Sequence, residues 1–212
     1  MARRNASAKR GPCYARRLVI MAKRPAMGRV KRRLAREIGA TAALRFYRSS
    51  FSHTMLRLTA DPRWLTVIAM DALADGTRLP SPRRAELMPQ GDGDLGVRMQ
   101  RLFTRLPPGP VVVIGSDIPS IRPAHIALAF RLLGQADAVF GPAPDGGYWL
   151  VGLKRTPRVL MPFARVHWSG PHALADTRAN LKGKRVALAA CLSDVDRAED
   201  LRHERGRAGR LI

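Results

Sequence analysis

The sequence has little cysteine, few acidic residues and no long apolar run. Among its 212 residues, Asp and Glu number 16 against 38 Lys and Arg, and the formal net charge is +22. The two cysteines, Cys13 and Cys191, form no C-x-x-C pair, which excludes a disulfide scaffold and predicts free thiols in a reducing compartment. The longest apolar run, 186–192, and shorter runs such as 111–114 fall far short of the roughly 18 residues of a membrane span. Membrane channels are excluded as well.

Acidic residues are missing altogether from the first 36 positions, where all thirteen charged residues are basic. Residues 1–16 have little hydrophobicity and lack the apolar stretch of a secretory signal, which predicts a disordered basic tail. An organelle transit peptide also begins without acidic residues, so that alternative stays open. We expect residues 17–212 to form a single domain, because a chain of this length buries a full core without disulfides. The free thiols favour a cytoplasmic location.

Strands and helices alternate along the rest of the chain. Apolar runs predict strands over 17–22, 64–70, 85–88, 111–114, 136–140, 148–153 and 185–191. Apolar side chains at three- and four-residue spacing predict helices over 44–58 and 94–106, from Pro123, near 170–181 and from Arg197. This alternation is typical of a three-layer α/β fold with a mostly parallel central sheet.

A carboxylate follows the strand over 111–114. Asp117 stands in Gly-Ser-Asp-Ile-Pro just past that strand, and in open α/β sheets ligands bind beyond the carboxyl ends of the strands. Hard cations such as Mg²⁺ or Mn²⁺ take oxygen ligands, so Asp117 is a candidate metal ligand and catalytic residue. Asp196, late in the chain, is the second candidate ligand. The alternative for each is to cap the helix or turn that follows it.

A basic loop follows the first strand, at the same end of the sheet as Asp117. Phosphate binding needs cations and backbone N–H groups that point at the ligand. Gly28 permits close approach of the backbone, and Lys23, Lys31 and Arg33 supply charge. The segment matches neither the dinucleotide pattern G-x-G-x-x-G nor the P-loop. The alternative is a solvated basic helix.

An Asp-Gly-Gly-Tyr segment lies between two apolar runs and has two interpretations. Asp145 followed by Gly146 is a strong signal for a β-hairpin. In the functional interpretation, Gly146 and Gly147 let the backbone approach a sugar or acceptor beside Tyr148. Asp145 would then accept hydrogen bonds from hydroxyl groups and is the candidate general base.

Residues 90–98 carry a further pair of candidate substrate-binding residues. Asp94 stands at a predicted helix start, where the helix dipole stabilises a negative charge. Arg98 follows four residues later, on the same face of that helix. A loop with a helix cap explains the same residues without any ligand.

Five motifs occur in order between about residues 17 and 201. They are MAKRPAMGRVKRRL (21–34), QGDGDLGVRM (90–99), GSDIPSI (115–121), GPAPDGGYWLVG (141–152) and DVDRAEDL (194–201). Together they resemble a bacterial family of GT-A-fold glycosyltransferases, the radical-SAM or selenodomain-associated and arsenosugar-biosynthesis type. Three positions depart from the family pattern: Met21 replaces Phe, and Arg32 and Arg197 replace Thr.

The resemblance implies a nucleotide-diphospho-sugar transferase fold, shared with the molybdenum-cofactor and phospholactate guanylyltransferases. It implies a metal-dependent transfer of a glycosyl group from a nucleoside-diphosphate sugar to a small-molecule acceptor. In that scheme Asp117 and Asp196 hold Mg²⁺ or Mn²⁺, and Lys23, Lys31 and Arg33 bind the diphosphate. The metal stabilises the departing diphosphate as a Lewis acid.

Two other functions stay open at this point. The first is nucleotidyl transfer from a nucleoside triphosphate, although the first loop of such enzymes is usually richer in glycine than MAKRPAMG. The second is non-enzymatic nucleic-acid binding, which the net charge of +22 suggests. Aromatic residues make up only 6% of the chain, which leaves few platforms for base stacking and disfavours this second alternative.

Overall fold

The computed structural model describes residues 14–72, 85–156 and 158–208. This part of the chain forms seven strands: β1 (Arg17–Ala22), β2 (Leu65–Met70), β3 (Ala85–Pro89), β4 (Val111–Gly115), β5 (Ala138–Pro142), β6 (Tyr148–Leu153) and β7 (Val186–Leu188). Its six helices are α1 (Arg32–Ile38), α2 (Ala40–Thr59), α3 (Leu95–Arg105), α4 (Pro123–Leu132), α5 (Ala173–Ala179) and α6 (Ala198–Ala208). Most of the predicted basic tail, with Cys13, lies outside the described residues.

The seven strands form one sheet in the order β3-β2-β1-β4-β6-β5-β7. Neighbouring strands run parallel except at β6, which is antiparallel to both β4 and β5. The mostly parallel sheet is therefore confirmed. The β5–β6 hairpin around Asp145 and Gly146 is confirmed as well. The last strand is shorter than predicted, because residues beyond Leu188 leave the regular ladder with β5.

Helices cover both faces of the sheet, which confirms the three-layer architecture. On one face, Phe51 of α2 and Ile126 of α4 are buried in one cluster with Ile20 of β1. On the other face, Phe103 of α3 is buried in a second cluster with Val19. Successive residues of β1 thus serve opposite faces, which explains why the strand is apolar throughout. No described helix is both long enough and apolar enough to cross a membrane.

The topology gathers the predicted site segments at one edge of the sheet. Met21, near the end of β1, pairs with Gly115 at the end of β4. Because β6 runs antiparallel, its beginning lies at this same edge, where Leu150 pairs with Ile114. The loop after β1, the loop after β4, the β5–β6 hairpin and the segment after β7 therefore converge beyond the carboxyl ends of the parallel strands.

Candidate active site

Two adjoining cavities open at this edge of the sheet. The first, of about 480 Å³, is lined by the loop after β1, the end of β4 and part of α3. The second, of about 370 Å³, lies against the β5–β6 hairpin and residues 168–170. Asp117, Asp196, Arg33 and Tyr148 line both. The two cavities therefore form one divided site.

A buried tyrosine joins the two loops that border the first cavity. The Tyr47 hydroxyl accepts a hydrogen bond from Lys23 N at 3.0 Å, donates to Lys23 O at 3.0 Å, and lies 3.1 Å from Ser116 Oγ. Burial raises the pKa of Tyr47, so the hydroxyl keeps its proton. Sequence reasoning missed this role, because Tyr47 reads as one more apolar position on the buried face of α2. The loops after β1 and β4 are thereby tied together.

Three carboxylates meet where the two cavities join. Asp117 follows β4, and Asp194 and Asp196 precede α6; each offers one oxygen, and these oxygens lie within 4.8 Å of one another. The structure thus brings the two predicted metal ligands together and adds Asp194, which sequence reasoning did not select. The Asp-Val-Asp spacing carried the signal, since residues i and i+2 of an extended segment point to the same side. We call these three residues the carboxylate triad.

The start of α6 is capped by residues outside the triad. Asp200 Oδ2 accepts from Asp196 N at 3.0 Å, and Glu37 Oε2 accepts a further N–H of that turn at 2.7 Å. The side chain of Asp196 instead accepts from Lys31 Nζ at 3.0 Å and Arg33 Nη1 at 3.3 Å. The interpretation of Asp196 as the cap of the last helix is therefore wrong.

Lys31 lies against the triad rather than in open solvent. Its Nζ donates to Asp117 Oδ2 at 2.8 Å and to Asp196 Oδ1 at 3.0 Å, and lies 3.9 Å from Asp194 Oδ2. Burial alone would lower the pKa of this ammonium, but the charges and hydrogen bonds of Asp117 and Asp196 raise it above its ordinary value. Lys31 therefore carries its charge into the site.

The other predicted phosphate-binding residues surround the first cavity unequally. Lys23 and Arg33 are exposed and line it. Gly28 has a φ of +74° and lies in the turn just before the lining residues Arg29 and Val30. The predicted phosphate loop thus borders this cavity, and Gly28 directly precedes its lining residues without being one of them.

The β5–β6 hairpin borders the second cavity. Asp145 Oδ1 accepts from Gly147 N at 2.9 Å, an arrangement that holds the turn, and both residues line the cavity with Tyr148. Gly146 is not among its described lining residues, and a Cβ on Gly146 would collide with the carbonyl oxygen of Pro171. The structure thus places three of these four predicted residues at the cavity, and gives Gly146 a contact with the protein's own backbone.

Asp94 and Arg98 have separate positions. Asp94 Oδ1 accepts from Val97 N at 2.8 Å and caps α3, which confirms the structural interpretation of this residue. Asp94 is not among the described lining residues of either cavity. Arg98 lines the first cavity, and its Nε donates a hydrogen bond to Gly93 O at 2.8 Å. Only Arg98 of this predicted pair is brought to the site.

Comparison with known protein families gives one match for this chain. The DUF2064 family, described as uncharacterized proteins conserved in bacteria, matches residues 54–170, more than half of the chain. The chain belongs to this family. The matched range includes Asp117 and Asp145, whereas Lys31 and Asp196 lie outside it. Comparison with curated proteins gives no match.

Solved structures share the fold of this DUF2064 protein. A proposed nucleotide-diphospho-sugar transferase from Desulfovibrio desulfuricans G20 is 28% identical, with a TM-score of 0.78 over 88% of this chain and 84% of that one. The 2-C-methyl-D-erythritol 4-phosphate cytidylyltransferase from Thermus thermophilus is 16% identical, with a TM-score of 0.56 over 92% and 99%. A Mycobacterium tuberculosis H37Rv protein in complex with manganese is 17% identical, with a TM-score of 0.52 over 91% and 98%. The predicted fold class is confirmed.

The two cavities of the DUF2064 protein differ sharply in charge. The described lining of the first has two carboxylates and six basic side chains, namely Lys23, Arg29, Lys31, Arg32, Arg33 and Arg98. The described lining of the second has one basic side chain, Arg33, and four carboxylates, namely Asp117, Asp145, Asp194 and Asp196. Tyr148, Trp149 and Trp168 add aromatic surface to the second cavity. An anionic ligand is therefore favoured in the first cavity and opposed in the second.

Asp194 is the triad member that the ammonium of Lys31 compensates least. Burial raises the pKa of Asp194 to about 6; Lys31 opposes this rise, and the neighbouring carboxylates Asp196, Asp117 and Asp145 add to it. The folded pKa thus exceeds the ordinary value of 3.8. The contribution of this group to stability is therefore fully present below pH 4 and is lost as the pH rises through about 6.

Without added metal, we expect Asp194→Asn to raise Tm at pH 7.5 and to do so less at pH 4.5. The side chain is 43% exposed, so solvent screening reduces the gain to about 1 kcal/mol, a rise of roughly 2–4 °C in a domain of this size. Thermal scans of both proteins at the two pH values check this. A lower Tm for the variant at pH 7.5, or equal shifts at both pH values, would contradict the assignment.

Proposed function

We propose that this DUF2064 protein is a metal-dependent transferase that moves a glycosyl group from a nucleoside-diphosphate sugar to a small-molecule acceptor. The observation that carries the proposal is the carboxylate triad at the junction of a basic cavity and an acidic one. Such a division suits a donor with an anionic diphosphate and a reaction partner of different charge. The similarity to the proposed nucleotide-diphospho-sugar transferase from Desulfovibrio desulfuricans G20 supports it.

The diphosphate would bind in the first cavity. Lys23, Arg33 and Arg98 line it and supply positive charge for charge-assisted hydrogen bonds to phosphate oxygens. The loop that carries Lys23 is held in place by Tyr47, so its backbone is organised before the ligand arrives. Binding in a preorganised cationic cleft costs little reorganisation when charge develops on the leaving group.

The triad fits a divalent cation. Three carboxylate oxygens within 4.8 Å of one another match the all-oxygen donor sets that Mg²⁺ and Mn²⁺ take. We propose that Asp117, Asp194 and Asp196 hold the ion; the manganese complex of the Mycobacterium tuberculosis protein supports the binding of a divalent cation by this fold. When bound, the ion supplies Lewis-acid stabilisation of the departing diphosphate.

The acceptor would bind in the second cavity. Tyr148 and Trp168 offer flat apolar surface, and Asp145 offers a carboxylate at the cavity wall. Gly147 N donates to Asp145 Oδ1 at 2.9 Å and so fixes the orientation of the carboxylate. We propose that Asp145 accepts the proton of an acceptor hydroxyl as that hydroxyl attacks the sugar.

Nucleotidyl transfer is the second candidate function. The six basic side chains of the first cavity would also suit a triphosphate, and the Thermus thermophilus cytidylyltransferase shares the fold. In that reaction the second cavity would receive the phosphate or hydroxyl that attacks the α-phosphate. Four carboxylates in the lining disfavour a phosphorylated partner there.

A thermal-shift panel separates the two reactions. We expect one of the UDP-, GDP-, ADP- or dTDP-sugars to raise Tm in the presence of Mg²⁺ or Mn²⁺ and to do so much less without metal. At 100 times its Kd, a ligand adds about 2.7 kcal/mol of stability, roughly 5–10 °C here. Metal-dependent stabilisation by a nucleoside triphosphate alone would favour nucleotidyl transfer. A response only to oligonucleotides, lost at high salt, would instead favour nucleic-acid binding.

A further inference from the structure

The ammonium of Lys31 is an internal counter-cation of the carboxylate triad. Its side chain is 3% exposed, whereas those of Asp117, Asp194 and Asp196 are 36%, 43% and 37% exposed. The lysine therefore reaches the triad from inside the protein, while the carboxylates also face the cavities. Each of the three triad carboxylates has an oxygen within 3.9 Å of this one ammonium.

An ammonium and a divalent cation cannot share these oxygens at contact distance. Like charges a few ångströms apart repel strongly where solvent is largely excluded. The Nζ of Lys31 already holds Asp117 at 2.8 Å and Asp196 at 3.0 Å. A cation that binds the same carboxylates must compete with these two charge-assisted hydrogen bonds.

The residue that contacts the triad, Lys31, has a backbone conformation that is unusual for a non-glycine residue. Lys31 has φ 46° and ψ 48°, the left-handed region, and stands immediately before α1. This conformation costs a non-glycine residue about 1–2 kcal/mol. Such strain persists where surrounding contacts outweigh it, and it is concentrated at functional sites. Lys31 is also one of the residues that line the basic first cavity, so this cavity adjoins the triad contact, and the lysine stem is flexible.

We propose that Lys31 occupies the triad in place of a divalent cation and leaves it for the first cavity when the cation binds. The inference rests on the proposed function, because the cation and the phosphates belong to that site. Metal binding would then have two effects: it fills the triad and it delivers one more ammonium to the diphosphate. The donor would bind tightly only to the metal-loaded protein.

The direct test is Mn²⁺ binding to the full-length protein without nucleotide, measured by isothermal titration calorimetry. We expect Lys31→Met to bind Mn²⁺ at least about tenfold more tightly than the wild type, since it loses two hydrogen bonds to charged groups that oppose the ion. The matched control is Arg36→Met, which removes one positive charge from an exposed position of α1, the helix that follows Lys31. The control should bind Mn²⁺ within about twofold of the wild type, as expected of a screened surface charge.

A second measurement uses the wild-type protein and depends on no variant. Reductive methylation followed by mass spectrometry reports which lysine ammonium groups are accessible. We expect Lys31 to be protected without metal and to be modified at least several-fold faster when Mg²⁺ is present. Lys23 is exposed and should react equally in both conditions, so it serves as the internal reference.

The outcomes distinguish this inference from the proposed function. If Lys31→Met and the wild type bind Mn²⁺ with equal affinity, or if Mg²⁺ leaves Lys31 protected, the displacement of Lys31 is overturned and the metal site stands. If neither protein binds Mn²⁺, the metal site and the displacement are overturned together. Tighter binding by Lys31→Met with Mg²⁺-dependent exposure of Lys31 supports both.

Discussion

Asp117→Asn is expected to abolish metal-dependent binding of the sugar donor and to lower transfer by about 10²–10³-fold, the usual cost of removing one electrostatic element of a transfer site. Asp117 is the triad member contributed by the end of β4, and it accepts the shorter of the two Lys31 hydrogen bonds, at 2.8 Å. Asparagine keeps the size of the side chain and removes its charge. Mn²⁺ affinity and the metal-dependent shift in Tm would both be measured.

A matched control for this variant is Glu86→Gln. Glu86 is an exposed carboxylate on β3, at the edge of the sheet and separated from β1 by β2. The substitution removes the same charge at a position that lines neither described cavity. If Asp117→Asn retains the wild-type response to Mn²⁺ and donor, Asp117 is not a metal ligand.

Gly146→Ala is expected to lower Tm by roughly 10 °C. Gly146 has a φ of +83°, and an added Cβ would collide with the carbonyl oxygen of Pro171. The left-handed backbone costs about 1–2 kcal/mol for alanine, and forcing the backbone of residue 171 aside costs about 1–3 kcal/mol more. Each kcal/mol corresponds to about 2–4 °C in a domain of this size. Thermal unfolding followed by circular dichroism measures the loss.

Gly28→Ala separates the two causes of this loss. Gly28 has a similar φ of +74°, but nothing lies within 4 Å of its added Cβ. Only the cost of the left-handed backbone applies there, so we expect a fall of about 2–8 °C. Equal losses in the two variants would show that the contact of Gly146 with Pro171 contributes nothing.

Much of the fold was predictable because its determinants are local. The strand over 111–114 is buried on both faces, and its uniform β-branched composition follows from that burial. The convergence of Asp117 and Asp196 followed from one topological rule, that ligand-binding loops lie beyond the carboxyl ends of parallel strands. No detail of the connecting segments was needed for either prediction.

The features that sequence reasoning missed depend on long-range contacts. Lys31 was predicted to bind phosphates, but its positive charge can equally well bind carboxylates, as it does at Asp117. Its left-handed backbone conformation depends on tertiary contacts that a sequence pattern does not show. Gly146 was predicted to face a ligand, but its partner is Pro171, 25 positions along the chain. The hydrogen bonds of the Tyr47 hydroxyl could not be predicted from the apolar pattern of the helix, because that pattern accounts only for the aromatic ring.

The hydrogen bonds of Tyr47 hold together only the half of the site around the first cavity, so the sequences of the two halves can diverge at different rates. Through its hydroxyl, the loops after β1 and β4 form one unit around the first cavity. The hairpin at the second cavity is fastened separately, where Leu174 N donates to Gly146 O at 3.1 Å. Substitutions at Asp145, Gly147 and residues 168–170, which line the second cavity and not the first, can therefore reshape one half without changing the other. Under the proposed function, related proteins would keep the same donor while they diverge in the acceptor that they modify.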